Sequence, residues 1–358
     1  VYSTNLTPDP QTGIGRWSYT AFERAMREGI SRDGHHLYPA FPYTAYARTS
    51  DADLQALYAY LMSQPPVKAE TPPTRLSFPF NMRPLMAAWN ALFHRASAYR
   101  EDPAQSAEWN RGAYLVEGLG HCSACHSPRN LLGAERGGAA HLTGGVVEGW
   151  DAPALGPMHV GPAPWRAEDY YAYLRTGHSP LHGSALGPMS PVIDELGAAP
   201  DADIKAMAVY LASLAGPAVG AQAQAARVAD AQARAIQLGS QVRSPASRLY
   251  DGACAVCHEA QPLIDHYAPR PALALSSAVH AARPDNLIRI VLEGSLLSGG
   301  AGRPGGMPSF AGSLSESQVS DLAAYLRARF ASEKPAWRDV DAAVRRVRAE
   351  LRNSMRRP

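Results

Sequence analysis

Cys122-Ser123-Ala124-Cys125-His126 is answered near the C-terminus by Cys254-Ala255-Val256-Cys257-His258, and these two stretches decide how the chain folds. Two thiols three residues apart on one turn can each add to a haem vinyl group, and the imidazole that follows then faces the iron. The four positions are all the cysteine the chain has, so this reading leaves none for a disulfide. A four-cysteine zinc site or a redox dithiol would use the same pair spacing. Neither needs the His after each pair, and the 129 positions from Cys125 to Cys254 are unlike the compact spacing of zinc ribbons. The motifs predict two covalent haem c groups, with Cys122, Cys125, Cys254 and Cys257 as anchors and His126 and His258 as axial ligands.

Working outward from the motifs, the chain repeats itself three times. Each copy runs a helix-like segment ending in Gly, a loop, and a second helix ending in Tyr-Leu. The copies are Trp17 to Gly29 then Tyr60-Leu61, Trp165 to Gly177 then Tyr210-Leu211, and Asn286 to Gly294 then Tyr325-Leu326. Twelve residues past Gly177 lies Met189, and thirteen past Gly294 lies Met307, each beside a proline. A thioether opposite the His completes six-coordinate iron and raises its potential, so Met189 and Met307 are the expected sixth ligands. Met158 precedes the Trp165 helix and is the weaker rival for the second copy. Met82, Met86 and Met207 read as core filler, a common use of this flexible side chain.

In the first copy, twelve residues past Gly29 stands Phe41, which cannot ligate iron, and no C-x-x-C-H precedes it. The sequence is therefore expected to begin in mid-domain, with a third haem possible if an upstream segment supplies one. His36 and His35, five and six positions before Phe41, are its candidate ligands. A hydrogen bond to a propionate or a loop carbonyl is the competing role for either.

Composition agrees with an all-α chain of tandem cytochrome c-type domains, short helices wrapped around covalent haem. Its 358 residues are enough for two or three domains, and 30 Gly with 30 Pro suit short helices joined by long loops. Expected divisions are a first domain remnant at 1–66, a linker with an amphipathic helix at 67–107, domain two at 108–218, a linker at 219–235, domain three at 236–331, and a basic amphipathic tail at 332–358. Trp17, Phe22 and Met26 share one side of a helix capped by Ser18, and Ser50 opens another with Leu54, Leu57, Tyr58 and Leu61 as its stripe. In the linker, Leu85, Met86, Trp89, Leu92 and Phe93 form a helical face that packs between haem domains or docks on a partner or membrane. Gly112 and Tyr114 suit a close crossing with the Tyr210-Leu211 helix. Arg129 is placed to pair with a haem propionate. In the tail, Val340, Val344, Val347, Leu351 and Met355 line a basic helix fit for a membrane surface or a partner. The net charge of +2 gives nucleic acid no basic footprint. No hydrophobic run reaches transmembrane length, and haem attachment to thiols points to the periplasm.

Val1-Tyr-Ser-Thr-Asn-Leu-Thr-Pro-Asp9, Gly13-Ile-Gly-Arg-Trp17, His36-Leu-Tyr-Pro-Ala-Phe-Pro-Tyr43, Glu108-Trp-Asn-Arg-Gly-Ala-Tyr-Leu-Val-Glu-Gly-Leu-Gly-His-Cys122 and Cys125-His-Ser-Pro-Arg-Asn130 together resemble the three-haem cytochrome c subunit of periplasmic, membrane-associated dehydrogenases. The resemblance implies an electron relay from a catalytic dehydrogenase subunit to ubiquinone, another cytochrome or a terminal oxidase. Phe41, with Ser77-Phe-Pro-Phe-Asn-Met-Arg-Pro-Leu-Met86 after it, is most similar to the branch serving molybdenum hydroxylases with an iron–sulfur subunit, which oxidise aldehydes or N-heteroaromatic compounds. Subunits of alcohol dehydrogenases that depend on pyrroloquinoline quinone, or of flavin-dependent sugar-acid dehydrogenases, are the alternative. Two other classes compete. A freestanding cytochrome shuttle would need neither the linker helix nor the basic tail, and a dihaem peroxidase would need an open iron that Met189 and Met307 close. No catalytic site of the chain's own is expected.

Overall fold

The structure, a computed structural model, describes residues 2–156, 159, 161–217, 219–259, 272–295 and 306–354; Met158 and Met355 lie outside them. The chain is mostly helical. Its strands are two short antiparallel pairs, 145–147 with 150–152 and 178–179 with 183–184. Two compact units result, Val1–Ala124 with Asn130–Ala134, and Cys125–Arg129 with Glu135–Pro358.

In the first unit, the Tyr19–Glu28 helix starts where Ser18 accepts from Ala21 N and stops at Gly29, whose φ of 66° is the left-handed conformation that glycine adopts at least cost. Its Phe22 and Met26 pack with Leu54 of the Asp51–Ser63 helix, and Tyr58 donates to Trp17 O at 2.7 Å. Ser50 caps that second helix by accepting from Asp53 N, an interaction worth about 1 kcal/mol. The Ala107–Tyr114 helix also belongs here. Tyr114 Oη donates to Asp53 at 2.5 Å and accepts from Ser50 N at 3.0 Å, a carboxylate and an orphan N–H at a helix start.

The linker helix forms at Pro84–Phe93, but its apolar stripe is divided. Met86 and Trp89 are buried with Tyr43 and Ala134, whereas Leu85, Leu92 and Phe93 face outward. Asn90 fixes the helix by accepting from Tyr43 Oη at 2.6 Å and donating to Glu28 O at 3.1 Å.

The second unit holds the other two copies. Residues 221–241 are a 21-residue helix whose Ala231 and Ala235 enter the third copy's core, so this stretch is packed rather than a solvated lead-in. The tail forms the expected helix, Val340–Ser354, yet its apolar stripe has no free face to offer. Val344 and Val347 are fully buried against the chain's own core, and Leu351 packs beside them. Arg346 pairs with buried Asp285 at 2.6 Å, Arg289 pairs with Glu350, and Arg348 donates to Ala311 O and Leu314 O. Arg346 and Arg348 thus fasten the helix to the rest of the second unit, and its buried valines are not available to a membrane or a partner.

The three copies share one local device. The first helix ends in a Gly of positive φ, left-handed at Gly29 and Gly177 and more extended at Gly294, and the chain then doubles back in a short antiparallel contact. Ile30 bridges His36, His178-Ser179 pairs with Gly183-Ser184, and Ser295 bridges Met307. Leu37 N donates to Gly29 O at 2.7 Å and Ala185 N to Gly177 O at 2.8 Å, each eight residues after its glycine. Copies one and two thus run in step through this turn, and continuing the register sets Phe41 against Met189. Tyr60 is exposed, whereas Tyr210 and Tyr325 are buried.

Candidate haem sites

The Cys122 motif lies on the single turn Ser123–His126, which puts the second thiol and the imidazole on consecutive positions of one helix. Cys122 N donates to Val116 O at 3.2 Å. His126 Nδ1 lies 2.7 Å from Pro153 O. A carbonyl can only accept, so Nδ1 carries the proton and the Nε2 lone pair is left for a metal. Burial lowers the pKa of this imidazole, although the Pro153 bond opposes it, and an iron ligand must be neutral.

Pro153 follows the 145–152 hairpin, and the same hairpin reaches the loop bearing Met189. A Cβ at Gly187 would come within 2.5 Å of the Trp150 ring, so only glycine lets that loop lie against it. One hairpin therefore holds the His126 ring at its end and backs the Met189 loop with its tryptophan. Met189 itself is half-buried and begins the Met189–Leu196 helix, after Pro188. The loop is fixed further by His182, which stacks on Trp165 with ring centroids 3.7 Å apart and lies 3.5 Å from Asp169. Gln224 donates to Asp169 at 2.8 Å and to Pro164 O at 2.7 Å. Sequence reasoning found neither Pro153 nor this cluster. A backbone acceptor has no residue-type signature, and Gln224 lies far along the chain from what it holds.

In the third copy, Cys254 caps the turn Ala255–His258, donating its N–H to Tyr250 O at 2.8 Å. Burial raises the Cys125 thiol and pushes Cys254 up to about 11. Met307 is half-buried against the third core. Ser295 N donates to Met307 O at 2.9 Å, and Met307 N donates to Ser295 Oγ at 3.1 Å. The residues present fit haem c in both copies: paired thiols and an imidazole on one turn, and a thioether on an anchored loop. Arg129, the expected propionate partner, lies 3.8 Å from Glu135 and is exposed.

In the first copy Phe41 is packed among Tyr43 and Tyr46, with ring centroids 6.5 and 5.4 Å away. His36 Nδ1 lies 3.3 Å from Asn90 Nδ2, whose orientation is set by its bond to Glu28 O. That Nδ1 must accept, which leaves the proton on Nε2 and spoils His36 as an Nε2 ligand. His35 Nδ1 lies 2.9 Å from Ser31 Oγ, a group able to accept from it. Ser31 N also donates to His35 O at 2.9 Å.

Comparison with known proteins places these features in a class. Residues 244–329 match the Cytochrome c family. Over 354 residues the chain is 53% identical to a nicotinate dehydrogenase subunit of Pseudomonas putida, covering 98% of this chain and 29% of that protein. It is 36% identical over 308 residues to the fructose dehydrogenase cytochrome subunit of Gluconobacter japonicus, covering 82% of this chain and 63% of the relative. Over 350 residues it is 37% identical to the gluconate 2-dehydrogenase cytochrome c subunit of Pantoea cypripedii, covering 91% and 76%. The chain thus spans less than two thirds of the first two relatives. With its attachment motifs it is a c-type cytochrome that binds haem c covalently. It belongs to the family of cytochrome c subunits of dehydrogenases.

Proposed function

We propose that this chain relays electrons from a molybdenum hydroxylase with an iron–sulfur subunit to the respiratory chain, through two haems in tandem cytochrome c domains. The hairpin that holds His126 through Pro153 O and backs the Met189 loop through Trp150 is the observation that carries the reading. Cys122 and Cys125 would anchor one haem between His126 and Met189, and Cys254 and Cys257 the other between His258 and Met307. Ligation by a thioether and an imidazole would favour the ferrous state, and haem held by these residues would supply one-electron transfer with no position left for substrate. A molybdenum partner is supported by the Phe41 form of the sequence and by the relative named for nicotinate, an N-heteroaromatic acid. Ubiquinone, another cytochrome or a terminal oxidase would accept the electrons. The complex is assigned to the periplasm, peripherally bound to the inner membrane.

The pyridine haemochrome of residues 1–358, expressed in a host that matures c-type cytochromes, should read two haems per chain. Zero would end the haem reading, and one would remove one of the two sites. Co-purification tests the partner: a molybdopterin subunit recovered with the full-length protein supports the reading, and recovery of a quinoprotein or a flavoprotein replaces it.

For the first copy, a haem supplied from upstream would take His35 as its sixth ligand, and His36 would stay bonded to Asn90. Electron paramagnetic resonance of the full-length oxidised protein should lose one low-spin signal in His35→Ala and keep it in His36→Ala. An unchanged spectrum in His35→Ala assigns the ligand elsewhere.

A further inference from the structure

Among the described residues, sixteen large hydrophobic side chains are exposed, and eight of them gather at one place on the first unit. Phe78, Phe80 and Met82 lie on the irregular segment before the linker helix, and Leu85, Leu92 and Phe93 on the helix itself. Leu131 and Leu132 adjoin them, since Leu132 O accepts from Trp89 Nε1 at 2.9 Å. Phe78 is 77% exposed and Leu92 71%, so most of each side chain faces solvent. A concentration of this kind marks an interaction surface, whereas scattered exposed leucines do not.

The charge around the patch says what covers it. Residues 71–100 contain Arg75, Arg83, Arg95 and Arg100 and not one Asp or Glu. The rest of the chain balances its charges closely, the whole carrying 34 basic and 32 acidic residues. Aromatic and aliphatic side chains interleaved with arginines and no carboxylate from 71 to 100 match the two-part attraction of an anionic bilayer, apolar insertion below the headgroups and arginine pairing at their level. The helix can insert shallowly without unfolding, because Met86, Trp89 and Asn90 hold its other face to the protein. The tail helix cannot take this role, its Val344 and Val347 being fully buried.

We infer that residues 75–95, with Leu131 and Leu132, form the element that docks the protein on an anionic phospholipid surface. The inference rests on the peripheral membrane binding proposed above and names the segment responsible. Its test is flotation of the full-length, haem-loaded protein with vesicles of phosphatidylglycerol and phosphatidylcholine, and with phosphatidylcholine alone, read by haem absorbance. Binding to the anionic vesicles is expected. It should fall more than tenfold in Phe78→Ser/Phe80→Ser/Leu92→Ser. In Arg75→Gln/Arg95→Gln it should fall roughly thirtyfold at low salt, from about 1 kcal/mol for each arginine near the surface. These side chains are exposed, so unchanged haem spectra serve as the check that the variants fold. Wild-type protein that stays unbound overturns membrane binding itself. Variants that float like the wild type overturn only the assignment to this segment. If the wild type is unbound and the triple variant loses its co-purifying dehydrogenase, the patch is a protein interface and the lipid assignment is wrong.

Discussion

Met189→Ala and Met307→Ala are each expected to admit about one equivalent of carbon monoxide to the reduced protein, where the unaltered chain takes none, and to lower the potential of the iron that has been opened. The effect is large because it is a change of coordination number, not of packing. Met189 and Met307 are only half-buried, so their truncation should leave the fold in place. Titration with carbon monoxide, followed in the Soret band, decides the matter. If Met158→Ala opens the iron of the second copy instead, that methionine is the ligand and the alignment of copies one and two fails beyond Ala185.

Arg329→Ala is expected to cost the third domain about 3–5 kcal/mol. The guanidinium is buried, and it donates to Ala235 O at 3.1 Å, to Tyr325 Oη at 3.2 Å and to Glu259 at 2.7 Å. It also lies over the rings of Tyr250 and Phe330. Removing it takes from the Glu259 carboxylate, next in sequence to His258, its cationic partner, leaves it, among the described residues, only the Tyr250 hydroxyl at 3.0 Å, and unpins the helix that contains Ala235. Chemical denaturation of the haem-loaded protein should show the loss in the midpoint of the third domain. Arg329→Lys restores a charge but not the planar fork, so it should recover only part of it. A loss below about 1 kcal/mol in the alanine variant would show that solvent replaces these bonds.

The parts of this architecture that sequence made legible share a property: they are local. The attachment turns follow from three-residue spacing, the capped helices from Ser18 and Ser50, and the turn after each first helix from Gly29, Gly177 and Gly294. Each is settled within a few residues. The linker helix was legible as a helix but not in its orientation, because a stripe of Leu85, Met86, Trp89, Leu92 and Phe93 does not say which part meets a core. The tail misled for a similar reason. Its valines and arginines suit a bilayer, yet Val344 and Val347 are buried, Arg346 pairs with Asp285 and Arg348 donates to Ala311 O and Leu314 O. Pro153 O and the Arg329 cluster were invisible, since one is backbone and the other joins residues far apart in the chain.

The 145–152 hairpin also bears on speed. Two residues before Pro153, Asp151 N and Asp151 O are bonded to the Asn286 side chain, each at 2.8 Å, and Arg289 donates to Gly149 O at 2.9 Å. Asn286 and Arg289 stand on the first helix of the third copy, Asp285–Glu293. The strut that steadies the His126 imidazole is thus bolted to the neighbouring repeat. Tunnelling rates fall exponentially with distance, so a pair of redox centres on a slack tether would hand over charge at a fluctuating and mostly low rate. A braced pair would keep a constant gap, and with His126 as a ligand the nuclear rearrangement accompanying each transfer would stay small because the ring, bonded to Pro153 O, has little room to swing.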